Sequence, residues 1–148
     1  MATDPGSTTK AAPAATVRIA ALDHLVLRVA DLDRSIAFYR DVLGCTVEKW
    51  QEKMGLLQLR AGSALIDLVT LDGPLGRDGG AGPGREGRNL DHFCVRLEEF
   101  DEAALRAHLA AHGVEAGATG RRYGADGYGP SIYIRDPDGN TVELKAPS

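Results

Sequence analysis

One stretch of this chain occurs twice. Leu22-Asp23-His24-Leu25-Val26-Leu27-Arg28 returns as Leu90-Asp91-His92-Phe93-Cys94-Val95-Arg96. Each copy alternates, runs on into a helix-like stretch, and is followed later by an acid set between apolar residues. Those acids are Asp67, in Leu65-Ile66-Asp67-Leu68-Val69, and Glu143, in Thr141-Val142-Glu143-Leu144. One histidine and one carboxylate per half, in the same order, predict two duplicated units that build a single site together.

The remaining bounds are broader. A chain of 148 residues has room for one domain with a core but not for two independent ones. A net charge of -4 offers no basic surface, so nucleic acid is not an expected partner. No apolar run approaches the roughly 20 residues a membrane span needs, so no membrane partner is expected either. Cys45 and Cys94 form no CxxC and no disulfide framework, and read as reduced thiols of a cytoplasmic protein. Residues 1–18 begin with Ala, Thr, Pro and Gly and few large apolar groups. They read as a flexible tail without a secretory signal.

The folded part, 19–147, reads as one domain of two modules, 19–71 and 90–147, joined by a linker over 72–89. In the first, strand 22–29 puts Leu25, Leu27 and Val29 on one face and His24, Val26 and Arg28 on the other. Asp31 and Asp33 can cap the helix carrying Ile36, Tyr39, Val42 and Leu43, and Gly44 suits its end. Strands are expected near 45–50, 55–60 and 64–71. The second module repeats the order. Strand 90–97 leads to a helix with Phe100, Ala104, Leu105 and Leu109, closed by His112-Gly113. A weak strand follows at Val114–Ala118, then a loop over 119–129, strand 131–135, the turn Asp136-Pro137-Asp138-Gly139-Asn140 and a last strand, 141–146. His24 and His92 are 68 residues apart, whereas Asp67 and Glu143 are 76 apart. The extra length is assigned to the longer Arg121–Gly129 segment. The linker, with seven glycines and two prolines, reads as a connector or mobile surface loop. It has no GxxxxGK[ST] to cradle phosphate.

Imidazole nitrogen and carboxylate oxygen suit divalent Zn, Ni, Mn, Fe or Co. His24, Asp67, His92 and Glu143 would give four ligands and leave two octahedral positions for two neighbouring substrate oxygens. All four oppose apolar neighbours on their strands, so they share a face if helices cover the apolar side. His108 and His112, at i, i+4 on a helix, lack a third ligand nearby. Tyr133, Arg122 and Tyr128 are candidate substrate contacts. Arg121 or Arg122 would pair with an acidic group such as a carboxylate or phosphate.

Leu22-Asp23-His24, Ala37-Phe38-Tyr39-Arg40-Asp41-Val42-Leu43-Gly44, Leu90-Asp91-His92 and Arg135-Asp136-Pro137-Asp138-Gly139-Asn140-Thr141-Val142-Glu143-Leu144 resemble the vicinal oxygen chelate superfamily. That superfamily includes glyoxalase I, bleomycin-resistance proteins, fosfomycin-resistance enzymes, methylmalonyl-CoA epimerase and extradiol dioxygenases. The resemblance implies an α+β fold of paired βαβββ modules curved round one divalent metal, and a homodimer. It places His24, Asp67, His92 and Glu143 at the four ligand positions of the glyoxalase and epimerase branches, with Asp67 where Glu or Gln is commoner. His24, His92 and Glu143 without Asp67 equally match the two-histidine, one-carboxylate set of the dioxygenases and fosfomycin enzymes. It implies a glyoxalase-type lyase or isomerase acting on a small substrate with vicinal oxygens. The metal would stabilise an enediolate, and Glu143 would act as the base. Alternatives are an Fe(II) extradiol dioxygenase using Tyr133, a thiol transferase of the fosfomycin type, and a non-catalytic binder of the bleomycin-resistance kind.

Overall fold

The computed structural model describes residues 17–148. The expected tail, Val17 and Arg18 apart, lies outside the described residues. Strand β1 (His24–Val29) leads into helix α1 (Leu32–Ile36), which widens into a π-helical turn over Ala37–Val42. β2 (Thr46–Gln51), β3 (Leu56–Ala61) and β4 (Ala64–Thr70) follow. The second module runs β5 (Phe93–Arg96), α2 (Glu102–Ala111), β6 (Gly120–Gly124), β7 (Gly127–Arg135) and β8 (Thr141–Lys145). The two sheets are ordered β1-β4-β3-β2 and β5-β8-β7-β6. In each, the first strand pairs parallel with the last. This is the expected α+β pair of βαβββ modules.

Local sequence explains the boundaries. Asp31 caps α1 by accepting a hydrogen bond from the Arg34 amide at 3.0 Å, whereas Asp33 lies inside the first turn. The Leu43 amide reaches back to the Phe38 carbonyl, five residues earlier, which is the bond that widens this helix. Gly44 then turns the chain out with φ of 74°, a conformation glycine adopts without Cβ strain. On β1 the alternation sends Leu27 and Val29 inward, with Ile66 and Leu68 beside them on β4. The second sheet contributes Ile132, Ile134, Val142 and Leu144. Phe38, Tyr39 and Leu109 join both groups into one core. The opposite face of each sheet, which carries His24 in one module and Cys94 and Glu143 in the other, points away from that core.

Polar ties between the modules come from the helix side. The buried Tyr39 hydroxyl donates to Asp136 Oδ2 at 2.6 Å. Asp136 Oδ1 accepts from the amides of Asp138 and Asn140 at 3.0 and 2.7 Å, which shapes the β7–β8 turn. Asp138 in turn accepts from the Ala30 amide at 3.0 Å. His108 Nε2 donates to the Val42 carbonyl at 2.8 Å, so this histidine is occupied in joining the modules.

Two expectations need correction. Val114–Ala118 forms no strand. Val114 and Ala116 pack on the core, only the Gly117 amide bonds to β7, at Tyr133, and the Gly117 carbonyl is taken by Arg106 at 2.9 Å. The segment 119–129 is no loop either. It is a hairpin in which Gly120 pairs with Ser131 and Tyr123 with Tyr128. The extra length of the second module lies largely in this extended hairpin. The connection 72–89 is pinned at one end of the first sheet, where the Arg28 guanidinium donates to the carbonyls of Gly76, Ala81 and Gly80 at 2.7, 3.1 and 2.7 Å. Gly76 is required there, because a Cβ would lie 1.8 Å from the Thr70 carbonyl oxygen.

Tyr39→Phe should cost about 1–3 kcal/mol in denaturant unfolding, since it strips one donor from a buried carboxylate. An unchanged midpoint and slope would show that this bond is not a net tie between the modules.

Candidate functional site

The repeat builds two similar half-sites. In the first module, parallel pairing sets His24 opposite Leu65 and Val26 opposite Asp67, so His24 and Asp67 share the face away from the core. In the second, Cys94 is opposite Glu143, and His92 stands just ahead of β5. Each histidine is tied by its neighbour in the repeat. His24 Nδ1 meets Asp23 Oδ1 at 2.6 Å, and His92 Nδ1 meets Asp91 Oδ1 at 2.7 Å. A carboxylate on Nδ1 fixes the ring and leaves Nε2 to face outward as a ligand. The hydrogen bond that His24 donates to Asp23, and more weakly the charge of Asp67, raise the His24 pKa above the ordinary histidine value. Asp23 and Asp91 were not singled out as functional in the sequence, although the repeated Asp-His pair was their signal.

The carboxylates differ. Asp67 is buried, with Oδ2 accepting from Gln58 Nε2 at 3.2 Å. Its Oδ1 is fully buried and has no hydrogen-bond partner among the described residues. A buried carboxylate oxygen left without a donor is costly, and a cation is the kind of partner that offsets such a cost. Glu143 is also buried, next to Tyr133 and Cys94. Burial first, then a hydrogen bond to Glu143, raise the Tyr133 pKa, which keeps its hydroxyl protonated as a donor. Cys94 is exposed as a residue, yet partial loss of hydration around its sulfur and then the same carboxylate push the thiol up to about 12. The Tyr133 ring stands edge-on to His92, with centroids 5.4 Å apart, and carries the Arg122 guanidinium 4.3 Å over its face. Tyr128 is separated from this group. It lies on the other face of the hairpin, paired with Tyr123 and covered by Arg121 at 4.2 Å.

Within one chain the two half-sites stay apart. Among the described residues, no group of three or more His, Cys, Asp and Glu is placed to hold a metal ion. The chemistry of the donors fits a divalent ion: two imidazoles with Nδ1 already engaged, and two buried carboxylates, one with an unsatisfied oxygen. A cavity of about 870 Å³ lies elsewhere, between the first helix and the 112–117 segment. Arg34, Phe38, Asp41, His112 and Arg135 border it, and none of the four candidate ligands does.

The chain belongs to the Glyoxalase/Bleomycin resistance protein/Dioxygenase superfamily, whose family model matches residues 21–144. It is 30% identical over 127 residues to a virulence protein of Salmonella typhimurium, covering 83% of this chain and 81% of that one. The crystal structure of that protein superposes with a TM-score of 0.71, covering 89% of this chain and all of its own. A lactoylglutathione lyase of the same organism is 30% identical over 129 residues, covering 82% of this chain and 88% of the lyase. A catechol-2,3-dioxygenase of Bacillus subtilis is 29% identical over 126 residues, and the match covers 84% of this chain but only 41% of that enzyme. Among the described residues no helix is long and apolar enough to cross a membrane.

A thiol at about 12 is on the order of one part in ten thousand thiolate at pH 8. In metal-free protein, iodoacetamide should therefore modify Cys94 far more slowly than an ordinary cysteine. Glu143→Gln removes one of the groups raising that pKa and should speed the reaction. Equal rates in the two proteins would show that Glu143 does not face the thiol.

Proposed function

We propose that this protein is a metal-dependent lyase or isomerase of the glyoxalase I type, acting on a small substrate with two vicinal oxygens. The reading is carried by the repeat-related His–carboxylate pairs, each histidine oriented through Nδ1 and the Asp67 pair holding an orphaned oxygen. His24 and Asp67 would hold the ion from one module, His92 and Glu143 from the other. Since the pairs do not meet within one chain, two copies form the site, the first module of one protomer facing the second module of its partner. Isologous pairing then makes two such sites per dimer. A divalent ion bound there supplies positive charge and adjacent open positions for two substrate oxygens.

The protein's own groups handle the proton. Glu143, buried on β8, is the base that takes it from the carbon between the substrate oxygens. Tyr133, cross-strand from it on β7 and kept protonated, is the donor placed to hold that carboxylate. Its ring, against His92 and under Arg122, forms the wall on which substrate rests. One observation favours a second reading, an extradiol dioxygenase with Fe(II): Tyr133 pairs with Glu143 across the ladder and stands edge-on to His92, close to where that chemistry wants a phenol. The reading is weakened because His108, on α2, donates to the Val42 carbonyl instead.

Metal analysis of untagged protein purified without chelator should find a divalent ion. His24→Ala, His92→Ala and Glu143→Ala should each lose most of it, and Asp67→Ala less. Asp91→Asn should weaken metal affinity by about 10–100-fold through loss of ring orientation. Normal metal content in both histidine variants would leave the ligand-binding, non-catalytic reading in front.

Sedimentation should show a dimer at micromolar concentration. An isolated heterodimer of His24→Ala with His92→Ala collects both defects in one shared site and leaves the other intact. It should therefore hold about half the wild-type metal. A heterodimer as empty as either parent would place each site within a single chain.

A further inference from the structure

We propose that Lys145 and Arg122 form a subsite for a compact oxyanion group of the substrate, a carboxylate or a phospho group, beside Glu143. The placement of the reacting atoms next to this subsite rests on the functional reading above, whereas the subsite itself does not.

Lys145 is only 6% exposed, and a lysine is rarely buried without a partner. It makes no ion pair within the described residues. The only fully buried side-chain N or O atom without a partner among those residues is Asp67 Oδ1. The Lys145 ammonium, lacking a partner, is therefore buried along its stem but not sealed at its tip. Two glycines keep the channel for that stem clear. A Cβ at Gly124 would lie 3.0 Å from Lys145 Cε, and one at Gly129 3.2 Å from Nζ. The chain thus lays an ammonium flat across its extended hairpin rather than out into solvent.

Arg122 is prepared in the same way. One nitrogen, Nη1, donates to the Ser131 carbonyl at 2.7 Å and to its hydroxyl at 2.9 Å, while the plane rests on Tyr133. Those contacts fix the guanidinium and leave its remaining N–H groups without a protein acceptor. A Cβ at Gly120 would come within 2.8 Å of Cζ, so a third glycine makes this room. The strand register puts Arg96, Lys145, Ser131 and Gly120 in one row, next to the row of Cys94, Glu143 and Tyr133. Arg96 in that row is neutralised by Asp126. Lys145, whose backbone lies one row from the base, and Arg122, whose guanidinium rests on Tyr133, remain as preorganised cations without an ion-pair partner among the described residues. Holding them so is unfavourable unless an anion arrives. A fork of N–H donors with a point charge beside it suits an oxyanion.

The test is calorimetric titration of inorganic phosphate and, separately, acetate into full-length, chelator-stripped protein at low ionic strength. At least one should bind saturably. Lys145→Met and Arg122→Gln should each weaken that binding by about tenfold or more, with metal uptake unchanged. Gly129→Ala, which crowds the ammonium, should weaken it too, and with Arg122→Gln it carries the test if Lys145→Met does not fold. No saturable binding of either anion up to about 50 mM, or unchanged affinity in the folded variants, would overturn the subsite. Failure of the stripped wild type to take up a divalent ion again, together with intact phosphate binding, would sink the metal reading and leave this one standing.

Discussion

The bond from Tyr39 to Asp136 decides how the rest of the molecule can work. It joins the first helix to the β7–β8 turn across 97 positions of sequence at 2.6 Å, and it is buried. Burial and the Asp136 charge raise the Tyr39 pKa, so the phenol stays a donor throughout the physiological range. Asp136 is also the acceptor that organises its own turn, so one carboxylate sets both the β8 entry angle and the docking of the modules. With the modules joined on the helix side, the histidine-bearing faces of both sheets are left facing outward. A fold fastened in this way keeps its two half-sites open to a second copy.

The same bond explains why two separate stretches marked the family so clearly in the sequence. Phe38-Tyr39-Arg40-Asp41 and Asp136-Pro137-Asp138-Gly139-Asn140 are the two ends of one contact. The first module was legible because its strands bury one face, so apolar alternation on β1 and the run on β4 reported their positions directly. The 119–129 hairpin was hidden for the opposite reason. Its inward positions, Gly120, Arg122 and Gly124, hold cations and the space for them, so no apolar period exists to be read. Val114–Ala118 misled because Val114 and Ala116 alternate onto the core while the backbone finds only one ladder bond there. A tertiary contact supplied the pattern that a strand would have shown.

The sheet positions of the candidate site residues were legible where duplication doubled the signal. His24 with His92 and Asp67 with Glu143 each confirm the other's position on the sheet. Lys145 has no counterpart that could announce it: the residue pairing with Arg28 at the corresponding row of the first sheet is Val69. There the sheet spends its arginine on the linker carbonyls. Nothing in a lone lysine near a strand end separates a buried ammonium from a solvated one, because the difference is made by glycines on a neighbouring hairpin.

The divergence of the two halves has a chemical direction. Both keep Asp-His at the entry to the first strand, so both keep an imidazole aimed by a carboxylate. On the last strand, Asp67 is short, buried and bonded to an amide, Gln58, which can orient it but cannot accept its charge or exchange a proton with it. Glu143 is one methylene longer and sits among a phenol, a thiol and cations. A carboxylate that must both bind an ion and move a proton needs reach and a polar surround, and Glu143 has both. On the proposed function, the first module would be the half that grips the ion and the second the half that moves the proton. Duplication supplied the paired histidines and carboxylates, and the longer hairpin, with its glycines and cations, is what made the copies unequal.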